Sequence, residues 1–248
     1  MIAFLRSLVF APLSIIVTAP AALLVALAFP FPIAFRYRII ALWYTVFLAL
    51  CRYVLGLHYQ VIGGENIPKK PAVILSKHQS AWETVSLQAI FPPVVFVMKK
   101  SLLMIPFLGW GLAAARMISI DRSAGKDALR QVINQGRERL KSGFSVAIFP
   151  EGTRIPPGQS RRFKAGGAHL AVSTGAPVVP VAHNAGEFWG KNAFVKKPGL
   201  ITISIGPAIE PNGKTADEIT ALAEQWIETE MRRISPHRYP EGAHAMAA

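Results

Sequence analysis

Two short stretches of this chain place complementary residue types at informative spacing: Lys77-His78-Gln79-Ser80-Ala81-Trp82-Glu83 and, further on, Phe149-Pro150-Glu151-Gly152-Thr153-Arg154. The first offers an imidazole able to accept a hydroxyl proton near neutral pH, followed by a carboxylate that could fix its tautomer and stabilise its charged form. The second offers a turn at Gly152, a hydroxyl at Thr153, and the planar fork of Arg154, which matches two oxygens of a phosphate. A base beside a phosphate clamp can activate a hydroxyl on a phosphorylated alcohol.

The spacing constrains the geometry. Five positions along one ideal helix would leave His78 and Glu83 roughly 140° apart, so they cannot meet on a continuous helix. His78 is therefore expected on the loop after a buried strand, Ala72–Ser76, with Glu83 in the first turn of the next helix and Ser80 as its cap. A plainer alternative uses the same letters: Ser80-Ala81-Trp82-Glu83 fits a capping box, in which Glu83 only bonds the Ser80 amide and His78 is a surface residue. Beyond Arg154 come Arg161, Arg162 and Lys164, and then Gly166 and Gly167 at an expected helix start whose amides attract anions. Such basic clusters can equally be solvated faces.

Four ordered blocks between about Gly64 and Gly206 resemble the 1-acyl-sn-glycerol-3-phosphate acyltransferases of the wider glycerolipid acyltransferase group. His78 with Glu83 is similar to the family's His-x4-Asp block, which implies a histidine general base and an acid that orients it. Pro106-Phe107-Leu108-Gly109-Trp110 leading to Ile118-Ser119-Ile120-Asp121-Arg122 resembles the second block, which implies that Arg122 helps hold the acceptor phosphate. Phe149 to Arg154 resembles the third, which implies that Glu151, Gly152, Thr153 and Arg154 shape the acceptor site. Val178-Val179-Pro180-Val181 resembles the fourth, and Lys164 stands where the family often carries a phosphate-contacting lysine. Two positions depart from the pattern. Glu83 replaces the usual aspartate, and Lys77 replaces an asparagine, placing a second cation that either favours an anionic donor or faces water.

The elements that must position these residues are legible as an alternation. Strands are expected at Ala72–Ser76, Val94–Met98, Met117–Ile120, Ser145–Phe149, Val178–Ala182 and Ile201–Ile205, and helices at Trp82–Ile90, Lys126–Lys141, Ala165–Ser173 and Thr215–Ile234. This argues for an α/β class with a layered mixed sheet and flanking helices, in which reactive groups gather at strand ends. The family resemblance implies the glycerolipid acyltransferase fold with an N-terminal two-helix membrane motif. The chain divides into a hydrophobic membrane-anchoring segment at 1–57, an α/β domain at 58–234, and a tail at 235–248 expected to be frayed.

Between Arg6 and Arg36 no charged side chain occurs, a run long enough to cross the roughly 30 Å core of a bilayer, though broken by Pro12, Pro20, Pro30 and Pro32. The second uncharged run, Ile39–Cys51, is too short to span alone. A cleaved signal peptide, one spanning helix with an interfacial partner, and a hairpin dipping into one leaflet all accommodate this pattern. The prolines, and arginines at 6, 36, 38 and 52 that can share one surface, favour the hairpin. Either membrane arrangement would leave the catalytic domain on the cytoplasmic face.

With 27 Lys and Arg against 14 Asp and Glu, the net charge of +13 predicts affinity for polyanionic surfaces. The basic pairs are spread along the chain and match no nucleic-acid module, which points to anionic membrane lipids as partner rather than nucleic acid. The single cysteine, Cys51, excludes an internal disulfide, and no metal-ligand spacing occurs among the isolated histidines 58, 169, 183, 237 and 244. No cofactor is expected, only acyl-CoA or acyl carrier protein as co-substrate alongside lysophosphatidic acid. Two competing functions remain: the same chemistry on glycerol 3-phosphate, another lysophospholipid or a lyso-aminolipid, and a non-catalytic membrane lipid carrier.

Overall fold

The computed structural model describes residues 1–121 and 123–239. Two helices, α1 (Ile2–Leu27) and α2 (Ile33–Tyr53), form an N-terminal hairpin turned at Pro30 and Pro32. Both are long and apolar enough to cross a membrane by length and composition. Two details differ from the sequence reading. Pro12 and Pro20 lie inside an unbroken α1, since each deletes only one bond from a ladder otherwise intact. The second helix extends beyond its uncharged run, taking in Arg36, which is buried and donates from Nη1 to the Ala114 carbonyl at 2.6 Å.

Seven strands follow: β1 (Leu57–Ile62), β2 (Val73–Ser76), β3 (Val94–Lys99), β4 (Ile118–Ile120), β5 (Ser145–Ile148), β6 (Val178–His183) and β7 (Gly199–Ile205). Their spatial order is β1-β7-β6-β2-β5-β3-β4, and β6–β7 alone is antiparallel. The central strands read as near-continuous apolar runs because they are covered on both faces. Val73, Ile74, Val146, Ala147, Val178 and Val179 are all fully buried.

The connecting helices are α3 (Trp82–Ile90), α4 (Leu108–Ala114), α5 (Lys126–Lys141), α6 (Gly166–Thr174) and α7 (Ala216–Ile234). Here α5, α6 and α7 pack side by side, while α2 and α3 pack together against β1 and β3. Gly167 lets α6 sit directly on the sheet, where an added Cβ would lie 2.5 Å from Leu75. The capping box that opens α7 is made by Thr215 and Glu218.

The hairpin lies along the domain rather than projecting from it. Near its start, Ser7 Oγ accepts the Lys196 amide at 2.8 Å and the ring of Phe10 meets Trp189 edge-on at 5.5 Å. Near its end, Ala22 packs so closely on α4 that a Cβ at Gly111 would stand 2.9 Å from the Ala22 carbonyl oxygen. The tail is also held at its beginning: Ser235 is buried, His237 Nε2 lies 2.7 Å from Glu187, and Tyr239 packs on the cluster of Phe163, Ile227 and Met231. Residues 235–239 are thus anchored; the remainder of the expected tail, 240–248, lies outside the described residues.

Candidate active site

Strands β2 and β5 are parallel neighbours in register, with Leu75 opposite Ile148, so the chain leaves both at the same edge of the sheet. The loops that follow carry His78 and Glu151, and parallel pairing alone brings them together. Two contacts join the loops, and a third ties the segment after β5 back to its own start. The His78 amide donates to Glu151 Oε2 at 2.7 Å, the Ile155 amide donates to the His78 carbonyl at 2.8 Å, and the Lys164 amide donates to the Pro150 carbonyl at 2.9 Å.

His78 Nδ1 lies 2.7 Å from Glu83 Oε1. The same carboxylate accepts the Gln79 amide at 3.1 Å and the Ser80 amide on both oxygens, at 2.9 and 3.0 Å. Burial works against the Glu83 charge, but His183, His78 and the Ser80 amide outweigh it and hold the carboxyl below its ordinary value. An ionised Glu83 must take its bond from Nδ1–H, which leaves Nε2 as the bare, proton-accepting nitrogen. The His78 ring is stacked on Phe149, with centroids 4.0 Å apart and planes inclined by 14°, so its orientation is fixed from the side as well. The cap of α3 falls one residue later than expected, on Ala81, while Ser80 Oγ accepts the Trp82 amide at 3.2 Å.

Glu151 does not face an acceptor. Its carboxylate is fully buried, with one oxygen on the His78 amide and the other 2.8 Å from Lys77 Nζ, and a second carboxylate at that position would repel a phosphate. Burial pushes its pKa up to about 7. Lys77 likewise does not face water or a donor: it is fully buried and pairs with Glu151 and with Glu228 of α7 at 2.7 Å. Burial opposes its charge, yet the two carboxylates hold it above the ordinary lysine value.

The remaining expected residues gather around the exit of β5. Gly152 has φ +73°, a left-handed turn that suits glycine. Its amide donates to the Phe149 carbonyl at 3.0 Å, which closes the turn. Lys164 Nζ passes 3.5 Å from the place a Gly152 Cβ would occupy. Thr153 Oγ1 accepts from Lys191 at 3.4 Å, and Arg154 is half-buried with no ion-pair partner among the described residues. Arg122 lies outside the described residues; the strand before it, β4, ends at the same sheet edge as β2 and β5.

A cavity of about 400 Å³ adjoins this cluster, with Lys164 and Gly152 on its polar side and Val97, Leu129, Ile148 and Phe149 among its apolar walls. Phe149 is shared between this cavity and the stack on His78. A second apolar hollow, about 450 Å³, lies at the opposite ends of the strands, between α2, Pro92–Val94 and Phe144. Three participants escaped the sequence reading. The sequence marks Phe149 as the first residue of the third block and the end of a strand, but not as a ring stacked on His78; His183 is a buried prop whose Nε2 donates to the Lys77 carbonyl at 2.8 Å, and Glu228 approaches from far along the chain. Only Glu228 had a local signal, a carboxylate next to the buried Ile227 on the inner stripe of α7.

An imidazole–carboxylate pair beside cationic side chains at the carboxyl edge of an α/β sheet is chemically suited to activating a hydroxyl group. The Acyltransferase family model matches residues 58–184. A 1-acyl-sn-glycerol-3-phosphate acyltransferase from Pseudomonas aeruginosa is 49% identical over 83% of this chain and 81% of its own length. One from Saccharomyces cerevisiae is 35% identical over 75% of this chain and 63% of its own length. Among solved structures, the 1-acyl-sn-glycerophosphate acyltransferase PlsC from Thermotoga maritima superimposes with a TM-score of 0.76 over 94% of this chain and 95% of that one, at 22% identity, a likeness of fold. The chain belongs to the acyltransferase family, in the group of the 1-acyl-sn-glycerol-3-phosphate acyltransferases.

Proposed function

We propose that this enzyme transfers an acyl group from acyl-CoA or acyl carrier protein to the sn-2 hydroxyl of 1-acyl-sn-glycerol-3-phosphate, forming phosphatidic acid. The observation that carries the reading is the pinned imidazole: Nδ1 is held by Glu83 at 2.7 Å, beside the loop after β5 that bears Arg154 and against which the Lys164 side chain packs at Gly152. Nε2 removes the hydroxyl proton as the oxygen attacks the thioester carbonyl. The resulting tetrahedral centre collapses, the C–S bond breaks, and the imidazolium returns its proton to the departing sulfur. Glu83 stabilises the imidazolium between these steps, and no covalent acyl-enzyme is formed. Arg154, Lys164 and Arg122 hold the acceptor phosphate, so that the reacting hydroxyl is presented rather than captured by collision.

The substrates of this reaction live in a bilayer, and the surface agrees with a monotopic attachment to the cytoplasmic leaflet. Because both ends of α1 contact the domain, the helix lies in the plane of that face rather than crossing away from it. Its outer side exposes Phe4, Leu5, Leu8, Val9, Ile15, Ile16, Leu24 and Leu27, each about half or more exposed. Apolar exposure continues at Met104, Phe107 and Trp110 on and before α4, which packs on α1, with exposed Lys99 and Lys100 nearby to meet anionic headgroups. Vesicle-reconstituted enzyme supplied with acyl-CoA and lysophosphatidic acid should produce phosphatidic acid. Faster transfer to another lysolipid would assign a different acceptor.

A further inference from the structure

Lys77 occupies a position that a surface cation would not tolerate: it is fully buried, immediately before the catalytic base. Its Nζ contacts three elements that are remote from one another in sequence. Glu151 Oε1 of the loop after β5 lies at 2.8 Å, Glu228 Oε1 of α7 at 2.7 Å, and the Gln159 carbonyl oxygen at 3.4 Å. Each contact leads to a group of the site. Glu151 accepts the His78 amide through its other oxygen. Gln159 opens the basic segment that runs through Arg161 and Arg162 to Lys164. Farther along that segment, the Phe163 amide donates to Glu224 of α7 at 3.3 Å, so α7 holds it at two points, once directly and once through Lys77.

We propose that Lys77 is a positioning residue that sets the separation between the His78 base and the anion-binding segment 159–164, by fastening both, with α7, to one buried ammonium. The reading rests on the acyltransferase assignment above. The energetic argument favours position over stability. A buried ammonium between two carboxylates loses hydration that its attractions only roughly restore, so apolar packing of the same volume would hold the fold as well or better. What apolar packing cannot supply is direction, since the Nζ ammonium donates in only three directions and here each is taken by a different element. A displacement of about 1 Å between a base and a bound hydroxyl lowers a rate by roughly 100-fold.

The test uses the full chain in vesicles and two variants, Lys77→Met and Glu228→Gln, read by hydrogen exchange and by steady-state kinetics with lysophosphatidic acid. For Lys77→Met we expect exchange at least about 10-fold faster in peptides covering 156–164, with the β2 and β6 core still protected, and kcat/KM lower by about 100-fold. Glu228→Gln leaves Glu151 and Gln159 on the ammonium, so it should raise KM for the acceptor by several-fold and affect kcat less. Native exchange in 156–164 with unchanged kcat and KM in a folded Lys77→Met overturns the proposal, as does a loss of protection spread evenly over the sheet. If Lys77→Met does not fold, Glu228→Gln decides: unchanged KM and unchanged exchange in 156–164 would equally overturn it. Should the unsubstituted enzyme fail to acylate lysophosphatidic acid, the functional assignment falls, while the exchange comparison still judges Lys77.

Discussion

Glu83 holds His78 with the same carboxylate that bonds the Ser80 amide at the start of its own helix. The bond to the Ser80 amide and the bond to the imidazole, which the sequence presents as alternatives, are made by one side chain. Helix geometry therefore sets the rotamer of Glu83, and Glu83 sets the tautomer of His78. From the first turn of α3, which begins at Trp82, the glutamate side chain reaches back to the imidazole at 2.7 Å.

Glu83→Gln should lose about 1,000-fold in kcat with KM nearly unchanged, because an amide donating to Nδ1 would move the proton to Nε2 and remove the base. Glu83→Asp should recover a substantial part of that loss. Steady-state rates on protein shown to be folded by circular dichroism check both, and a Glu83→Gln variant within a few-fold of the unsubstituted kcat would refute the tautomer argument.

The acceptor clamp should appear in KM. Arg154→Ala and Lys164→Ala each remove a charge-assisted bond of about 1.5–3 kcal/mol, so KM for lysophosphatidic acid should rise by roughly 10- to 100-fold with a smaller change in kcat. Arg154→Lys should not restore it, since a point charge cannot take two phosphate oxygens at once. Equal losses for a phosphate-free acceptor analogue would contradict the assignment.

Stability should carry two opposite pH signatures. Glu83 has a depressed carboxyl, so its contribution is present above the ordinary value of 4.5 and disappears as pH falls through its folded value. Glu151 is raised from 4.5 to about 7, so its contribution is complete below 4.5 and is lost as pH rises to about 7. Denaturant unfolding between pH 5 and 8 should show that slope in the native chain and a flatter one in Glu151→Gln. An unaltered slope in the variant would show that Glu151 does not titrate there.

Attachment in the plane of the membrane predicts where a lipid-borne quencher reaches. With the other tryptophans replaced by phenylalanine, Trp110 fluorescence should shift to the blue and be quenched by brominated lipids in vesicles containing anionic phosphatidylglycerol. Lys99→Glu with Lys100→Glu should weaken this more at low salt than at high salt. Emission typical of water, with no quenching, would place α4 off the membrane.

The regular elements were legible because parallel central strands and amphipathic helices carry strong local patterns: β2, β3, β5 and α5 fall where apolar runs and periodicity put them. Two elements were missed for definite reasons. Only Leu57 of β1 is buried, so an edge strand of mixed polarity gave no alternation to read. In α4, Gly109 and Gly111 weaken helix propensity, yet both are needed for close backbone approach, to Leu103 and to Ala22. Within the site, the pairing of His78 and Glu83 could be argued from spacing. The burial of Lys77 could not, because its partners Glu151 and Glu228 are brought to it only by the order of the strands and the packing of α7.

The most direct measurement is the acyl-transfer rate of His78→Ala, folded and vesicle-bound, with acyl-CoA and lysophosphatidic acid. Loss of the proposed base should lower kcat by about 100- to 10,000-fold while acceptor binding persists. A folded, membrane-bound His78→Ala that forms phosphatidic acid at the unsubstituted rate would contradict the account.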